Sequence, residues 1–252
     1  MSFWRRVKRG APPPPDIGTD RRVYAIGDVH GRADLLDALL AMIAQDDAAR
    51  PRKPISLILL GDLVDRGPHS RGVVERVMAL AASGGDVRCL KGNHEEAFIL
   101  AARGDLRALP LFRRMEGEAT LASYGLDPAL FRVMTDAEIA DWMESHVPRA
   151  HVDFLDALPD SITIGDYLFV HAGIRPGVPI ADQSPADLRW IRQEFLAHRG
   201  RHPNMIVHGH SISEDVDEQA GRIGIDTGAF LSGRLTALGL EGVDRWILQT
   251  EA

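Results

Sequence analysis

Nine acidic, imidazole and amide side chains in this sequence follow short apolar runs, at the points where strands would end. They are Asp28, His30, Asp62, Asp65, Asn93, His94, His171, His208 and His210. Carboxylate, imidazole and amide oxygen are ligands for divalent ions of intermediate hardness, such as Mn²⁺, Fe²⁺ or Zn²⁺. No thiolate accompanies them, which argues against a structural zinc cage. One such residue alone would be explained by ordinary turn formation, but five clusters together indicate a metal site.

The apolar runs that precede these residues are typical of strands buried on both faces. Runs at 23–26, 55–60 and 87–90 alternate with helical stripes at 35–43 and 73–81,. This order predicts right-handed crossovers and an α/β sheet. Ligands of such sheets collect at the carboxyl ends of the strands, which is where the polar clusters fall.

The middle of the chain has a different pattern. From Glu95 to about Pro159 the strand signals are replaced by helical ones interrupted by Gly and Pro,. This span is too long for a simple connection, so we predict a helical insertion over about 95–160. Apolar strand patterns return at 167–170, 205–207 and beyond. The C-terminal third therefore predicts a second sheet, mixed or antiparallel, packed face to face on the first.

Composition limits the class of protein. The formal net charge of the 252 residues is -7, so no overall basic field indicates a DNA partner. The single cysteine, Cys89, cannot form an intramolecular disulfide, and its apolar run suits a buried hydrophobe better than a nucleophile. No segment approaches the ~20 uncharged apolar residues of a membrane span. The N-terminus lacks the apolar run of an export signal, and we expect a cytoplasmic protein.

Residues 1–20 are expected to form a flexible tail that is basic and proline-rich, followed by one domain over 21–252. Pro12 to Pro15 are typical of an extended polyproline spacer,. A weaker alternative is that Phe3 and Trp4, with the nearby arginines, contact a membrane surface or a partner.

Five motifs, in this order, resemble those of the calcineurin-like metallophosphoesterases, in the branch of the phosphoprotein phosphatases and the symmetrical diadenosine tetraphosphate hydrolases. They are GDVHG at 27–31, GDLVDRG at 61–67, GNHE at 92–95, HAG at 171–173 and HGH at 208–210. IDTGAF at 225–230 and WIR at 190–192 also resemble segments of the small phage-type bacterial phosphatases. The resemblance implies an α/β fold, a β-sandwich of two mixed sheets flanked by helices.

The resemblance further implies two divalent ions, with Mn²⁺ preferred and Fe or Zn as alternatives. It assigns six ligands: Asp28, His30, Asp62, Asn93, His171 and His210. Asp62 would bridge both ions, because a carboxylate has two oxygens to share. Two cations about 3.5–4 Å apart can hold a phosphate and acidify a bridging water, which then attacks phosphorus in line.

The same resemblance assigns the proton that the leaving group needs to His94, with Asp65 hydrogen-bonded to it to fix its tautomer. Arg66 would grip the phosphate through its planar guanidinium. Further phosphate contacts are expected from Asn93 and Lys91, although related protein phosphatases commonly carry arginine in place of this lysine.

Three more residues of the C-terminal half remain candidates. Arg192, in the WIR segment, would be a second phosphate-binding arginine, with Arg189 as a competitor one turn earlier. His208 lies two residues before His210 and could face the same side, but a role behind the metal ligands is favoured.

The leading hypothesis is a phosphatase, similar to bacterial serine/threonine protein phosphatases, that acts on phosphoserine or phosphothreonine in proteins, with phosphotyrosine as a further option. The alternative is a hydrolase of symmetrical dinucleoside polyphosphates, such as diadenosine tetraphosphate, or of nucleotide-capped RNA. Both kinds of enzyme share the five motifs. A binding module without catalysis would predict missing ligands, and none is missing.

Overall fold

Two five-stranded sheets form the centre of the computed structural model, which describes residues 13–251. The strands of this part of the chain are β1 (Arg22–Ile26), β2 (Ile55–Leu59), β3 (Asp86–Cys89), β4 (Ser161–Ile164), β5 (Tyr167–Val170), β6 (Met205–His208), β7 (Asp217–Glu218), β8 (Arg222–Gly224), β9 (Thr236–Glu241) and β10 (Asp244–Gln249). The first sheet has the order β10–β9–β1–β2–β3 and the second β4–β5–β6–β8–β7. Both combine parallel and antiparallel pairs. The predicted α/β sandwich of two mixed sheets is therefore confirmed.

Helices cover the outer faces of the two sheets. They are α1 (Ala33–Ala48), α2 (Ser70–Ala82), α3 (Asn93–Ala102), α4 (Leu109–Arg114), α5 (Gly117–Ser123), α6 (Pro128–Val133), α7 (Asp136–His146), α8 (Arg149–Asp156), α9 (Pro185–Trp190), α10 (Gln193–Leu196) and α11 (Ala229–Ser232), with a 3₁₀ turn at Ile180–Asp182. Helices α1 and α2 connect the parallel strands β1, β2 and β3. Helices α3–α8 occupy 93–156 and are called the helical insertion below. No helix among residues 13–251 is both long and apolar enough to cross a membrane.

The burial of β1 shows why its sequence is a continuous apolar run. Val23 and Ala25 pack between the two sheets, whereas Tyr24 and Ile26 pack on the other face, in the cluster that includes α1, α2 and the helical insertion. Successive side chains of a strand point to opposite faces. Because both faces are covered, every position of β1 is buried.

Two short strands, β4 and β7, were not indicated by the sequence. Both lie at the edges of the second sheet, and both are partly exposed. An edge strand has one paired side only, so its sequence is less constrained towards apolar residues than that of a central strand.

The first part of the chain is only partly described. Residues 1–12, with Phe3 and Trp4, lie outside the described residues. Within the rest of the predicted tail, Ile17 is 2% exposed and packs in the core between the sheets. Its backbone N–H donates to the carbonyl of Gly242 over 2.9 Å, and the N–H of Asp16 donates to a carboxylate oxygen of Asp166 over 3.0 Å. The packed domain thus begins near Asp16, a few residues before the expected boundary.

Candidate metal centre and active site

The nine polar residues singled out in the sequence lie at or just beyond the ends of β1, β2, β3, β5 and β6. None of them is more than 5% exposed: Asp28, His30, Asp62, Asp65, Asn93, His94, His171, His208 and His210. The five strands run parallel within their sheets, so their carboxyl ends meet at one edge of the sandwich.

Asp62 lies at the centre of this arrangement. Its carboxylate belongs to one group of potential ligands with His30 and His94, and to a second group with His171 and His210. One oxygen, Oδ2, is 3.5 Å from Nε2 of His30. The other, Oδ1, is 3.4 Å from Nε2 of His171. Asp62 is thus the residue shared by both groups.

Asp28 and Asn93 lie beside the second group. The amide oxygen of Asn93 is 2.9 Å from Nε2 of His171, and the backbone N–H of His210 donates to Oδ2 of Asp28 over 2.9 Å. Two atoms here are buried without a hydrogen-bond partner among residues 13–251, namely Oδ1 of Asp28 and Nε2 of His210. Buried polar atoms are normally paired, so both indicate that the site is built around a ligand.

The ionisation of the site fits cations. Burial lowers the pKa of His30 to about 3 and also lowers the pKa of His210, so both rings stay neutral and can coordinate a metal. Burial and the nearby Asp226 carboxylate raise the pKa of Asp28. Although burial opposes it, the carboxylates of Asp62 and Asp28 raise the pKa of His171 to about 10, so this ring carries a proton when no metal is bound. A divalent cation would replace that proton and offset the repulsion between Asp28, Asp62 and Asp226.

Unusual backbone conformations are concentrated at this site. Six residues other than glycine have positive φ within 13–251, and five of them belong to the motifs: His30 (44°), Asp62 (48°), Asp65 (70°), Arg66 (69°) and His210 (62°). Such conformations cost about 1–3 kcal/mol each. The hydrogen bonds around the motif loops must therefore hold them in place.

Two glycines lie against the carboxylates. A Cβ on Gly92 would be 2.1 Å from Oδ1 of Asp62, and a Cβ on Gly209 would be 2.0 Å from Oδ1 of Asp28. Any side chain at these two positions would displace a carboxylate. Glycine is therefore required there for close approach rather than for turn formation alone.

Glu95, the last residue of the GNHE motif, connects the backbone of two motif loops. Its side chain is fully buried and accepts hydrogen bonds from the backbone N–H groups of Asp62 (2.8 Å), Leu63 (2.7 Å) and Gly92 (2.9 Å). Burial and the neighbouring Asp62 raise its pKa to about 7. Glu95 thus joins the loop after β2 to the loop after β3, and it holds the backbone of Asp62.

His94 and Asp65 form a buried pair. Nδ1 of His94 lies 2.7 Å from Oδ2 of Asp65. Burial opposes the charged imidazolium, but the carboxylates of Asp62 and Asp65 outweigh it and raise the pKa of His94. The other oxygen of Asp65 accepts from the hydroxyl of Thr120, a residue of α5 that the sequence motifs did not reveal.

Arg66 and Arg192 differ from most arginines of the protein. Within residues 13–251, neither side chain has an ion pair or a hydrogen bond. The Arg66 guanidinium lies over the ring of Phe230, 4.5 Å from its centre. Besides burial, the charge of Arg66 helps to lower the pKa of His30, and the charge of Arg192 helps to lower that of His210. Arg66 lies beside the cluster, since the ring of Phe230 on which it stacks is 5.4 Å from the ring of His30. Arg192 lies near enough to His210 for its charge to act on that ring.

Three other candidates have contacts of their own. The Lys91 ammonium contacts the Asp156 carbonyl at 2.7 Å and its carboxylate at 3.0 Å. Arg189 donates to Asp160 at 2.6 Å. The His208 ring packs edge-on against Phe195, on the outer face of the second sheet. Each of these side chains thus has a partner outside the two groups of potential ligands.

A comparison with models of protein families identifies the relationship. The model of the calcineurin-like phosphoesterases matches residues 21–247. The chain belongs to this family. The resemblance of the five motifs is thereby confirmed, and with it the assignment to the phosphoesterases. Members of this family use a dinuclear site of divalent metals, and the two ligand groups around Asp62 are consistent with such a site.

Among curated proteins, this member of the calcineurin-like phosphoesterases is similar to a symmetrical bis(5'-nucleosyl)-tetraphosphatase of Acidovorax ebreus. The two are 32% identical over 178 residues, and the match covers 71% of this chain and 49% of that protein. The chain thus spans about half the length of this relative. It is 26% identical over 232 residues to an asymmetrical bis(5'-nucleosyl)-tetraphosphatase of Bacillus velezensis, covering 84% of this chain and 86% of that protein.

Solved structures support the fold of the family. A candidate diadenosine tetraphosphatase superposes with a TM-score of 0.64 at 22% identity, covering 95% of this chain and 99% of the other. A cold-active protein-tyrosine phosphatase from a Shewanella species superposes with a TM-score of 0.53 at 19% identity, covering 92% and 81%. At these identities the likeness concerns the fold alone.

Proposed function

We propose that this phosphoesterase hydrolyses dinucleoside polyphosphates with the help of two divalent ions, Mn²⁺ by preference. The sequence motifs favoured phosphoproteins as substrates, with dinucleoside polyphosphates as the alternative. The relatives of known sequence favour the alternative, because two classes of bis(5'-nucleosyl)-tetraphosphatase, symmetrical and asymmetrical, are similar to this chain.

The observation that carries the proposal is the placement of Arg66 and Arg192. Each guanidinium lacks a carboxylate partner within 13–251. Arg66 stacks on Phe230 beside His30, and the charge of Arg192 acts on His210, which belongs to the other ligand group. A phosphomonoester offers one phosphate to bind, whereas a dinucleoside polyphosphate offers a chain of them. One arginine can then bind the phosphate under attack and the other a neighbouring phosphate.

Six residues would hold the ions in this proposal: Asp28, His30, Asp62, Asn93, His171 and His210. When bound, the ions would supply Lewis acidity and an activated water for attack on phosphorus. The carbonyl of Val64 lies 2.8 Å from Nδ1 of His30, and that of Leu60 lies 2.9 Å from Nδ1 of His171. Each contact fixes the ring so that its Nε2 faces the cluster.

The remaining residues act on the substrate directly. Arg66 neutralises charge that develops on the phosphate under attack, and its stacking on Phe230 limits the positions of the guanidinium,. His94 donates its Nε2 proton to the leaving oxygen, and Asp65 keeps the ring in the orientation this requires,. No serine or cysteine nucleophile is needed in this scheme.

A second candidate function is the hydrolysis of phosphoproteins. It is favoured by the segments IDTGAF at 225–230 and WIR at 190–192, which resemble those of the small phage-type bacterial phosphatases. The same metal ligands and Arg66 would serve this reaction, and Arg192 would then bind the same phosphate rather than a neighbouring one. The two functions therefore differ in the substrate that is bound beyond the reacting phosphate.

The test is a comparison of kcat/KM for diadenosine tetraphosphate and for phosphoserine, phosphothreonine and phosphotyrosine peptides, with Mn²⁺ present. We expect the dinucleotide to exceed every peptide by at least about tenfold, which corresponds to about 1.4 kcal/mol in transition-state binding. Chromatography of the products separates two ADP (symmetrical cleavage) from ATP and AMP (asymmetrical cleavage). A peptide that matches or exceeds the dinucleotide would overturn the proposal in favour of phosphoproteins.

A further inference from the structure

Helix α5 of the helical insertion contacts the active site through the side chain of Thr120. This threonine lies on α5 and is fully buried. Its hydroxyl donates to Oδ1 of Asp65 over 2.6 Å, and it accepts from the backbone N–H of Asp65 over 2.7 Å. Thr120 and Asp65 are 55 positions apart in the sequence, so this contact exists only because the insertion packs on the loop after β2.

The contact determines how Asp65 is oriented. A carboxylate can rotate about its last side-chain bond unless both oxygens are engaged. Here Thr120 engages Oδ1, and Oδ2 is left facing Nδ1 of His94 at 2.7 Å. Asp65 also has a left-handed backbone, with φ at 70°. The bond from its N–H to the Thr120 oxygen stabilises this conformation.

The hydroxyl of Thr120 has one hydrogen to donate. Two acceptors are near, Oδ1 of Asp65 at 2.6 Å and Oγ of Ser70 at 3.1 Å. Hydrogen bonds to an ionised acceptor are shorter and about twice as strong as neutral ones. The hydrogen therefore belongs to the bond with Asp65. Ser70, whose Oγ accepts from the Asp65 N–H at 3.1 Å, supports the same loop.

We infer that Thr120 is a positioning residue for the proton donor: it orients Asp65, and Asp65 in turn orients His94. The inference rests on the role of His94 in the proposed function and adds to it a residue outside the five motifs. It also assigns α5 a part in catalysis, since this helix supplies the hydroxyl. Thr120 touches neither the substrate nor a reacting atom, so its effect must pass through His94.

The test uses Thr120→Val, which keeps the shape of the side chain and removes the hydroxyl, and Thr120→Ser, which keeps the hydroxyl. Substrates are p-nitrophenyl phosphate, whose leaving group needs little protonation, and phenyl phosphate, whose leaving group needs more. For Thr120→Val we expect kcat on phenyl phosphate to fall roughly tenfold or more, a part of the 10²–10⁴ typical of general acids. On p-nitrophenyl phosphate kcat should change less than about threefold, with KM unchanged for both, and Thr120→Ser should restore wild-type rates.

A matched control comes from the same helix. Ser123 lies one turn further along α5. Its hydroxyl accepts from the backbone N–H of Arg71 over 3.0 Å and donates to the backbone carbonyl of Thr120 over 2.6 Å, so it supports the same helix without contacting Asp65. Ser123→Ala should leave both rates within about twofold of the wild type. If it slowed phenyl phosphate as much as Thr120→Val, a general disturbance of α5 would explain both variants and the inference would be wrong.

A double-mutant cycle separates this inference from the proposed function. Combined with His94→Asn, Thr120→Val should cause no further loss on phenyl phosphate, because the residue it positions is gone. If the loss in the double variant equals the product of the losses in the two single variants, the role of Thr120 is overturned and that of His94 is left intact. If His94→Asn itself lost the same factor on both aryl phosphates, the proton donor of the proposed function would fail first. Circular dichroism and the thermal midpoint show whether each variant folds. If Thr120→Val does not fold, Thr120→Ser decides. Wild-type rates of Thr120→Ser on phenyl phosphate support the inference, and a tenfold loss contradicts it.

Discussion

Nδ1 of His94 lies 2.7 Å from Oδ2 of Asp65, and both side chains are at most 2% exposed. The N–H at Nδ1 therefore donates its hydrogen bond to the Asp65 carboxylate. The other nitrogen, Nε2, faces the metal residues, at 3.8 Å from Oδ2 of Asp62. A proton at Nε2 is thus available to the leaving group beside the reacting phosphate.

Replacement of His94 by Asn should slow turnover by roughly 10²–10⁴ for phosphoserine peptides, whose leaving alkoxide requires a proton. The loss should be smaller for diadenosine tetraphosphate, because a nucleotide phosphate leaves more readily than an alkoxide. Steady-state rates on both substrates measure the difference. An equal loss on both would contradict the assignment of His94 as proton donor.

Removal of metal should abolish activity and lower stability. The carboxylates of Asp28 and Asp62 are both buried and repel one another, and they lose the counter-charge of the cations when the metal is removed. Protein treated with a chelator should lose hydrolysis of p-nitrophenyl phosphate and regain it with Mn²⁺. Mn²⁺ at about 100 times its Kd should raise the free energy of unfolding by about 2.7 kcal/mol, seen as a higher thermal midpoint. The Asp62→Asn variant should neither regain activity with Mn²⁺ nor gain thermal stability from it. Wild-type activity that is unchanged by the chelator would refute the two-ion proposal.

Glu95→Gln should weaken metal binding without touching a ligand. The amide oxygen of Gln can accept only part of the hydrogen bonds that the carboxylate accepts from Asp62, Leu63 and Gly92, and its NH₂ group faces backbone donors. Loss of partners that orient metal ligands typically costs 10- to 100-fold in affinity or activity. Titration of the metal-free protein with Mn²⁺ measures the change. Glu96→Gln, on the next residue, is the control and should bind Mn²⁺ as the wild type does.

Arg192→Ala should raise KM for diadenosine tetraphosphate by roughly tenfold or more, because a hydrogen bond to a charged group contributes about 1.5–3 kcal/mol. For p-nitrophenyl phosphate, which has a single phosphate, the change should be smaller. Arg199→Ala, at another exposed arginine of the same segment, should leave both values unaltered. Equal effects of Arg192→Ala on the two substrates would count against contact with a second phosphate.

Asp46 should stabilise the fold in a manner that depends on pH. Burial alone would raise its pKa, but hydrogen bonds from Arg50, Tyr24 and Trp246 outweigh burial and lower it. Since the pKa of Asp46 in the folded protein lies below the ordinary value of an aspartate, this stabilisation is present above that ordinary value and is lost as pH falls through the folded pKa. Urea unfolding should find Asp46→Asn about 1–3 kcal/mol less stable than the wild type at pH 7. This difference in the free energy of unfolding should narrow below pH 4.

The exposed ion pair of Asp37 with Arg76 provides the control: Asp37→Asn should change stability by less than about 1 kcal/mol at either pH. A gap that is constant with pH would contradict the prediction for Asp46.

Much of the architecture was predictable because local pattern and tertiary environment agree. The central strands are buried on both faces, so residues such as Tyr24 and Phe169 form continuous apolar runs that end abruptly at the site. The edge strands β4 and β7 are half exposed and short, and no such pattern marks them. The helical insertion was visible as a span without strand signals, but the contact of its Thr120 with Asp65 was not.

The site shows the same division. The residue types and their order along the chain pointed to metal ligands, and the structure brings His30, Asp62, His94, His171 and His210 together. Lys91 and Arg189 have the charge expected of phosphate-binding residues, yet both contact carboxylates of the helical insertion or of the adjoining loop. Sequence position alone does not reveal which arginine or lysine has a carboxylate within reach.

The sequence by itself determined the family, the order of the strands along the chain and the chemical types of the site residues, since these follow from motif and from local periodicity. Only the tertiary structure decided which side chains meet across distances of many positions along the chain. Glu95 holding the backbone of Asp62, and Thr120 on Asp65, result from packing between separate loops and helices. Hydrogen bonds act over about 3 Å, so they depend on the folded geometry, which no spacing in the sequence encodes.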